Sequence, residues 1–418
     1  MSYIFPSWFK SFQCKPIGCC CRHFQGIPVS NQEYVRLGER LHSTPLEDDF
    51  KSGVRIIANG DAIHKEGLVE NFAILSAYAP GRCAFLRDGS RCAVHETAGP
   101  SYLPSVCRNF PVYTAFTQDG MEMGIELICP AARELLMADV NPFSIQSEDA
   151  PPADRSFAVR PGDQMYRVSN VPAGRNTFID WEGYRTLREA MIRLVTSSKD
   201  SVLTRLAMVH HAAGEIAGNP EAARRAGEVV AWMAALADHG IDSASLPPVG
   251  GHNTDPHSAR DRYFRSFLLA APSPSPQAIM NSWKPYLTFV ETLPRGLERT
   301  DELRRNFERW PELYQSALLQ SESAITPVFV RFLLMKLSII GTDYGGSILR
   351  NLDRAGTALS HALAYAFTFA TTCRSDVTTE LLSLAIGFAE FRLRAAPWDI
   401  PDLLESTEAR EIAPAPSG

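Results

Sequence analysis

The sequence predicts an α+β chain, with a small cysteine-rich N-terminal domain followed by a mainly α-helical C-terminal domain. Three observations point there. Eight of the nine cysteines fall between Cys14 and Cys129, and only Cys373 stands apart. Before about residue 140, apolar residues come in short runs broken by turn residues. After about residue 160 they recur at helical spacing. The expected boundaries are residues 1–140 for a cysteine-cluster domain, 141–160 for a linker, 161–400 for the helical domain and 401–418 for a disordered tail. The linker carries Pro142, Pro151 and Pro152 among polar residues, as connecting segments tend to.

In the first part, Ser30-Asn-Gln-Glu33 is a capping box and should open a helix through about Leu41. Val54–Ala58, Cys83–Leu86 and Met121–Ile128 read as short strands, the last preceded by a turn glycine, Gly120. Cys129 to Met137 reads as a helix with Pro130 near its first position.

In the second part, Trp181, Tyr184, Leu187, Met191 and Leu194 mark a helix from Asp180 to about Ser197. Val202–Ile216 should be the next. Asn219 then caps a helix that starts at Pro220 and stops at Gly240. Pro247–Pro256 reads as a loop. Helices are expected over Arg260–Ala270, Ser275–Leu293 and Asp301–Ser321. Thr326-Pro327 should cap an apolar helix through Ile340, and Ala355–Thr372 and Asp376–Ala396 should follow. No strand–helix alternation marks a Rossmann sheet here.

Composition narrows the function classes. The 418-residue chain is 45% hydrophobic and 21% charged, and long enough to bury a sizeable core. A net charge of -6 argues against bulk nucleic-acid binding, which needs a basic face. The opening residues lack a basic region followed by a long apolar stretch, so no secretory signal is expected. The apolar run from Val328 to Ile340 is short for a bilayer and carries Arg331 and Lys336, so no membrane partner is expected either. The expected location is a reducing cytoplasm, where clustered thiols hold metal rather than pair as disulfides.

Eight cysteines are candidate metal ligands: Cys14, Cys19, Cys20, Cys21, Cys83, Cys92, Cys107 and Cys129. Thiolate sulfur suits zinc and iron–sulfur clusters. Three consecutive cysteines rarely serve one metal without strain. Ligands must therefore come from distant segments or serve two sites, with one of Cys19–Cys21 spare. Cys373, mid-helix in an apolar setting, reads as a core residue. His95 and Arg108 flank candidate ligands. They read as a hydrogen-bonding group and as a cation that either steadies a thiolate site or pairs at the surface. His210 and His211 face different ways on one helix. Gly250-Gly251-His252, Asp255 and His257 read as a connector, and His361 as a lone helical histidine.

The motifs then become recognisable. Phe12-Gln-Cys14, Cys20-Cys21-Arg-His-Phe24, Cys83-Ala-Phe-Leu86, Cys92-Ala-Val-His95, Cys107-Arg-Asn-Phe-Pro111 and Cys129-Pro-Ala-Ala-Arg133 follow one another. In this order they resemble the flagellin lysine-N-methylase family, within the CxxCxxCC cysteine-cluster proteins. Glu33-Tyr34 fits the start of that family's first helix. The match covers about residues 8–137. Cys19–Cys21 are contiguous where the family spaces its cysteines, and Val112 stands where the family tends to have arginine.

The resemblance implies a [4Fe–4S] cluster or zinc. It also implies methyl transfer from S-adenosylmethionine to lysine nitrogens of a protein substrate, flagellin or similar. No glycine-rich loop after a strand marks the cofactor site. Glu126, Asp180, Glu215, Asp343 and Tyr344 are all candidate proton acceptors, and the sequence selects none of them. The alternative is a non-enzymatic scaffold whose metal stabilises a docking surface.

Overall fold

The computed structural model describes residues 2–12, 27–56, 71–75, 77–79, 82–88, 91–137, 144–149, 170–174, 177–197, 199–219, 221–241, 276–290, 293–310, 322–337 and 347–395. Strands concentrate in the N-terminal part and helices toward the C-terminus. β1 (Tyr3–Pro6) runs into a 3-10 turn that buries Trp8 and Phe9. β2 (Ile27–Ser30) leads into α1 (Asn31–Leu41) through the expected capping box: Ser30 Oγ accepts from the Glu33 N–H, and Glu33 Oε2 from the Ser30 N–H. α2 (Glu47–Gly53), β3 (Val54–Ile56) and β4 (Asn71–Leu75) follow. Residues past Ile56 in the expected Val54–Ala58 strand lie outside the described residues.

Two tiny hairpins come next. β5 (Ala77–Ala79) pairs with β6 (Arg82–Cys83), and β7 (Leu86–Arg87) with β8 (Arg91–Cys92). The strand expected over Cys83–Leu86 is thus two strands broken by a turn at Ala84-Phe85. Leu86 turns to pair with Cys92, and the Ala93 N–H bonds the Phe85 carbonyl. α3 (Ala93–Ala98) and the single turn α4 (Ser105–Asn109) complete this region. β9 (Val112–Phe116) and β10 (Met121–Ile125) form a hairpin. The strand stops at Ile125, short of the expected Ile128, because the Glu126 N–H turns to the Pro111 carbonyl. α5 (Pro130–Arg133) tightens into a 3-10 turn at Glu134–Leu136 rather than running on as one helix, and β11 (Ile145–Glu148) follows.

The strand order β11-β1-β10-β9 makes one sheet. β1 is parallel to β10 and antiparallel to β11. A second sheet has the order β2-β4-β3.

The remainder opens with a hairpin the sequence reading missed, β12 (Asn170–Pro172) with β13 (Phe178–Asp180). Then come α6 (Trp181–Thr196), α7 (Val202–Ala217), α8 (Ala222–His239), α9 (Pro276–Phe289), α10 (Thr300–Glu308), α11 (Glu322–Leu337), α12 (Ile348–Cys373) and α13 (Thr379–Ala395). Asp180 caps α6 as expected, accepting from the Gly183 N–H at 2.7 Å. Gly240 ends α8 with φ +80, a conformation glycine adopts without penalty.

Several boundaries moved. α9 stops at Phe289, short of the expected Leu293, and α13 starts at Thr379, three residues past the expected Asp376. α10 ends at Glu308 with Arg309 as its C-cap, short of the expected Ser321, and residues 311–321 lie outside the described residues. The N-cap of α8 is Glu221; Asn219 Oδ1 accepts from the Glu221 N–H at 2.8 Å, ahead of the helix. α11 starts at Glu322 and runs through Pro327 instead of being capped there. The proline is exposed in the second turn, where its missing N–H removes a single intrahelical bond. α12 begins at Ile348, two turns before the expected Ala355, with Ser347 Oγ accepting from the Arg350 N–H. The helix expected over Arg260–Ala270, the loop Pro247–Pro256 and the tail 401–418 lie outside the described residues.

Among the described residues two apolar cores result. The large one joins the β1–β10 sheet to the helices. It runs from Phe5 and Trp8 through Met121 and Leu136 to Leu206, Trp283 and Phe369. The Trp283 ring lies 4.9 Å from Phe369 and 5.0 Å edge-on to Phe388. Within this body Glu122 of β10 and Arg188 of α6 form a buried ion pair at 2.5 Å. The second core is much smaller and is built from Ile27, Val29, Leu37, Leu41, Phe50 and Phe85 with a few neighbours. Among the described residues no helix is long and apolar enough to cross a membrane.

Candidate metal centre

The small core gathers three candidate ligands. Cys83 ends β6 and is buried in this core; Cys92 ends β8 and Cys107 lies on α4, both partly buried against it. Each arrives on a different short element. The β7–β8 pairing sets Cys92 opposite Leu86. Glu33 sets the start of α4, because its Oε1 accepts the Ser105 N–H at 2.8 Å. Cys107 is therefore tied, through two residues of backbone, to the N-terminus of α1.

Cys129 sits elsewhere. It is buried in the large core at the N-cap of α5, where its carbonyl accepts the Arg133 N–H at 3.0 Å. Cys14, Cys19, Cys20 and Cys21 lie outside the described residues. Their segment links Phe12, in the large core, to Ile27, in the small one. Among the described residues no group of three or more His, Cys, Asp or Glu stands close enough to hold a metal ion. The donor chemistry still suits a soft metal, since Cys83, Cys92 and Cys107 are thiols on one apolar core.

The flanking candidates divide. His95 is exposed on α3, and Arg108 is partly buried on α4. His210 and His211 part company as expected. His210 Nε2 lies 2.5 Å from Asp353 Oδ1 of α12, while the His211 ring meets Trp232 of α8 edge-on. Among the described residues neither shielded ring nitrogen of His361 has a hydrogen-bond partner, and its pKa is pushed down to about 4, first by burial and then by the Arg392 guanidinium. Cys373 is the last residue of α12 rather than mid-helix and is only partly buried against the large core, and burial pushes its thiol pKa up. His252, Asp255 and His257 lie outside the described residues.

Among the proposed proton acceptors, Asp180 is occupied as a helix cap and Glu215 holds Arg225 at 3.0 Å. Glu126 is half-buried after β10. Asp343 and Tyr344 lie outside the described residues.

Two polar features escaped the sequence reading. One is the Glu122–Arg188 pair. The other is Arg133, which lies beneath α13. Its one sequence signal is its place at the end of Cys129-Pro-Ala-Ala-Arg133. No protein-family model, curated protein or solved structure matches the chain.

Proposed function

We propose that the chain is a thiolate-metal protein, carrying a [4Fe–4S] cluster or zinc, that methylates lysine side chains of flagellin or a similar protein using S-adenosylmethionine. The observation that carries the metal half is the gathering of Cys83, Cys92 and Cys107, from three separate elements, on one small core. A core of this size buries little, and thiolate cross-links are what such modules use to hold together. The run Cys14–Cys21, which precedes Ile27 of the small core in sequence, would supply the further ligands. The methyl-transfer half rests on the ordered motifs from Phe12 to Arg133.

In that reaction a neutral lysine ε-nitrogen attacks the sulfonium methyl. The carbon–sulfur bond breaks, S-adenosylhomocysteine leaves and one proton is released to a protein acceptor. The metal centre would tie together the segments around it.

The small size of the second core also favours the scaffold reading, in which the metal's role is structural. Two measurements on anaerobically purified protein separate these readings. The visible spectrum with iron, sulfide and zinc content comes first; about four irons per chain identifies the cluster. Transfer of labelled methyl from S-adenosylmethionine to flagellin lysines comes second. Metal without transfer, and without any heat on titration with S-adenosylmethionine, leaves the scaffold. Absence of both iron and zinc overturns the whole reading.

A further inference from the structure

Three arginines are buried among the described residues: Arg133, Arg188 and Arg205. Arg188 pairs with Glu122, and Arg205 donates to the Val195 and Ser197 carbonyls. Arg133, only 7% exposed, has no such partner. Among the described residues no carboxylate or carbonyl accepts from its guanidinium, and its Nε is fully shielded without a hydrogen bond. Its terminal nitrogens are not fully shielded, so the fork stays open to solvent or a ligand. A guanidinium this deeply buried without an anion is costly, so such groups tend to be paired or to bind a ligand.

The surroundings hold this side chain in place. Its backbone carbonyl accepts from the Ser383 hydroxyl of α13 at 3.2 Å. Its stem crosses α13 at Gly387, where a Cβ would lie 2.4 Å from Arg133 Cδ and 2.9 Å from Nε. Only glycine leaves that passage open. The guanidinium carbon then lies 6.0 Å from the Tyr286 ring centroid, a cation–π contact.

Neighbouring groups do not supply the missing charge. Burial raises the Tyr286 pKa to about 12, with Arg133 pulling the other way, so the phenol stays neutral. Its hydroxyl donates to the Leu384 carbonyl. Glu134 is exposed, and Glu390 of α13 pairs with Lys336 at 2.9 Å.

We propose that Arg133, lodged over Gly387 and against Tyr286, is the anchor of a binding site for an oxyanion group, a carboxylate or a phosphate. The planar guanidinium fork matches either group bidentately. The site stands on the large core and does not depend on the metal or methyl-transfer reading.

The test uses the full-length protein at constant ionic strength, with chloride exchanged for acetate or inorganic phosphate. Melting temperature and calorimetric titration are the readouts. The wild type is expected to show a saturable rise in melting temperature and 1:1 binding with at least one of the two anions. Acetate alone identifies a carboxylate site, phosphate alone a phosphate site. Arg133→Met should abolish the response while folding in chloride. Arg133→Lys, which keeps the charge and loses the fork, should bind about tenfold more weakly and guards against a misfolded Met variant. No saturable response in the wild type, or one unchanged in Arg133→Lys, overturns the proposal.

Discussion

The Glu33 carboxylate accepts the backbone N–H of Ser105 across 72 residues of sequence, at 2.8 Å. The same carboxylate closes the capping box on Ser30 with its other oxygen. Glu33 is 4% exposed, so both contacts are made out of water, where lost partners cost most. Glu33→Ala should therefore destabilise the small core by about 2–3 kcal/mol. Ser30→Ala, which removes only the cap, should cost about 1 kcal/mol. Amide exchange at Ser105–Asn109 separates them: it should speed up in Glu33→Ala and stay near wild type in Ser30→Ala.

The Glu122–Arg188 pair binds the sheet to α6 inside the large core. Both side chains are buried, and the Arg188 guanidinium also lies over the Tyr184 ring, 5.2 Å from its centroid. Truncating one partner strands the other. Glu122→Ala should cost about 3–5 kcal/mol, read from urea denaturation midpoints. Replacing both together by Leu and Met should cost far less than the sum of the singles, because no uncompensated charge is left. Additive single costs would show that the pair is not coupled.

His361 makes folding sensitive to mild acid. The residue as a whole is partly buried, but both ring nitrogens are shielded. Arg392, which donates to the Tyr365 hydroxyl at 2.9 Å, places a like charge beside any imidazolium. The folded pKa is about 4 against an ordinary 6.5. Between those values the unfolded chain holds a proton that the folded chain refuses. Stability from this group is complete above pH 6.5 and falls as pH drops toward 4, by at most about 1.4 kcal/mol per pH unit. His361→Leu should lack this dependence, so the wild-type-minus-variant stability should fall as pH drops across that window. A difference that does not change between pH 7 and pH 4.5 would rule out this titration.

How much of this was legible in the sequence follows from range. The capping box at Ser30–Glu33, the Asp180 cap and the Gly240 stop are local, and local chemistry decides them. Locally Pro327 points to a helix start, because a proline's missing N–H is cheapest there. Yet Ile325 and Val328, on either side, are both buried in the large core, and the helix continues through. The pairing of β1 with β10 joins Tyr3 to Met121, and no local pattern announces a partner at that distance. The same holds for the site. Short motifs singled out Cys83, Cys92 and Cys107. Which core each cysteine joins depends on packing, and Cys129, a member of the same motif series, belongs to the large core.

That separation of cores yields a test of where a metal would act. Cys83 and Cys107 belong with the small core, whose apolar side chains come from Ile27 through Val94. If thiolates staple this core, Cys107→Ser should lower the bound metal and release the small core alone. Removing the metal from wild type with a chelator should do the same. Hydrogen exchange is expected to quicken over Ile27–Leu41 and Arg91–Asn109, while protection at Leu206, Trp283 and Phe369 in the large core stays unchanged. Cys373→Ser, remote from the small core, should alter neither metal content nor exchange there. Exchange that quickens equally in both cores would mean that the small core does not open as a unit of its own. Unchanged metal content in Cys107→Ser would remove Cys107 from the ligand set.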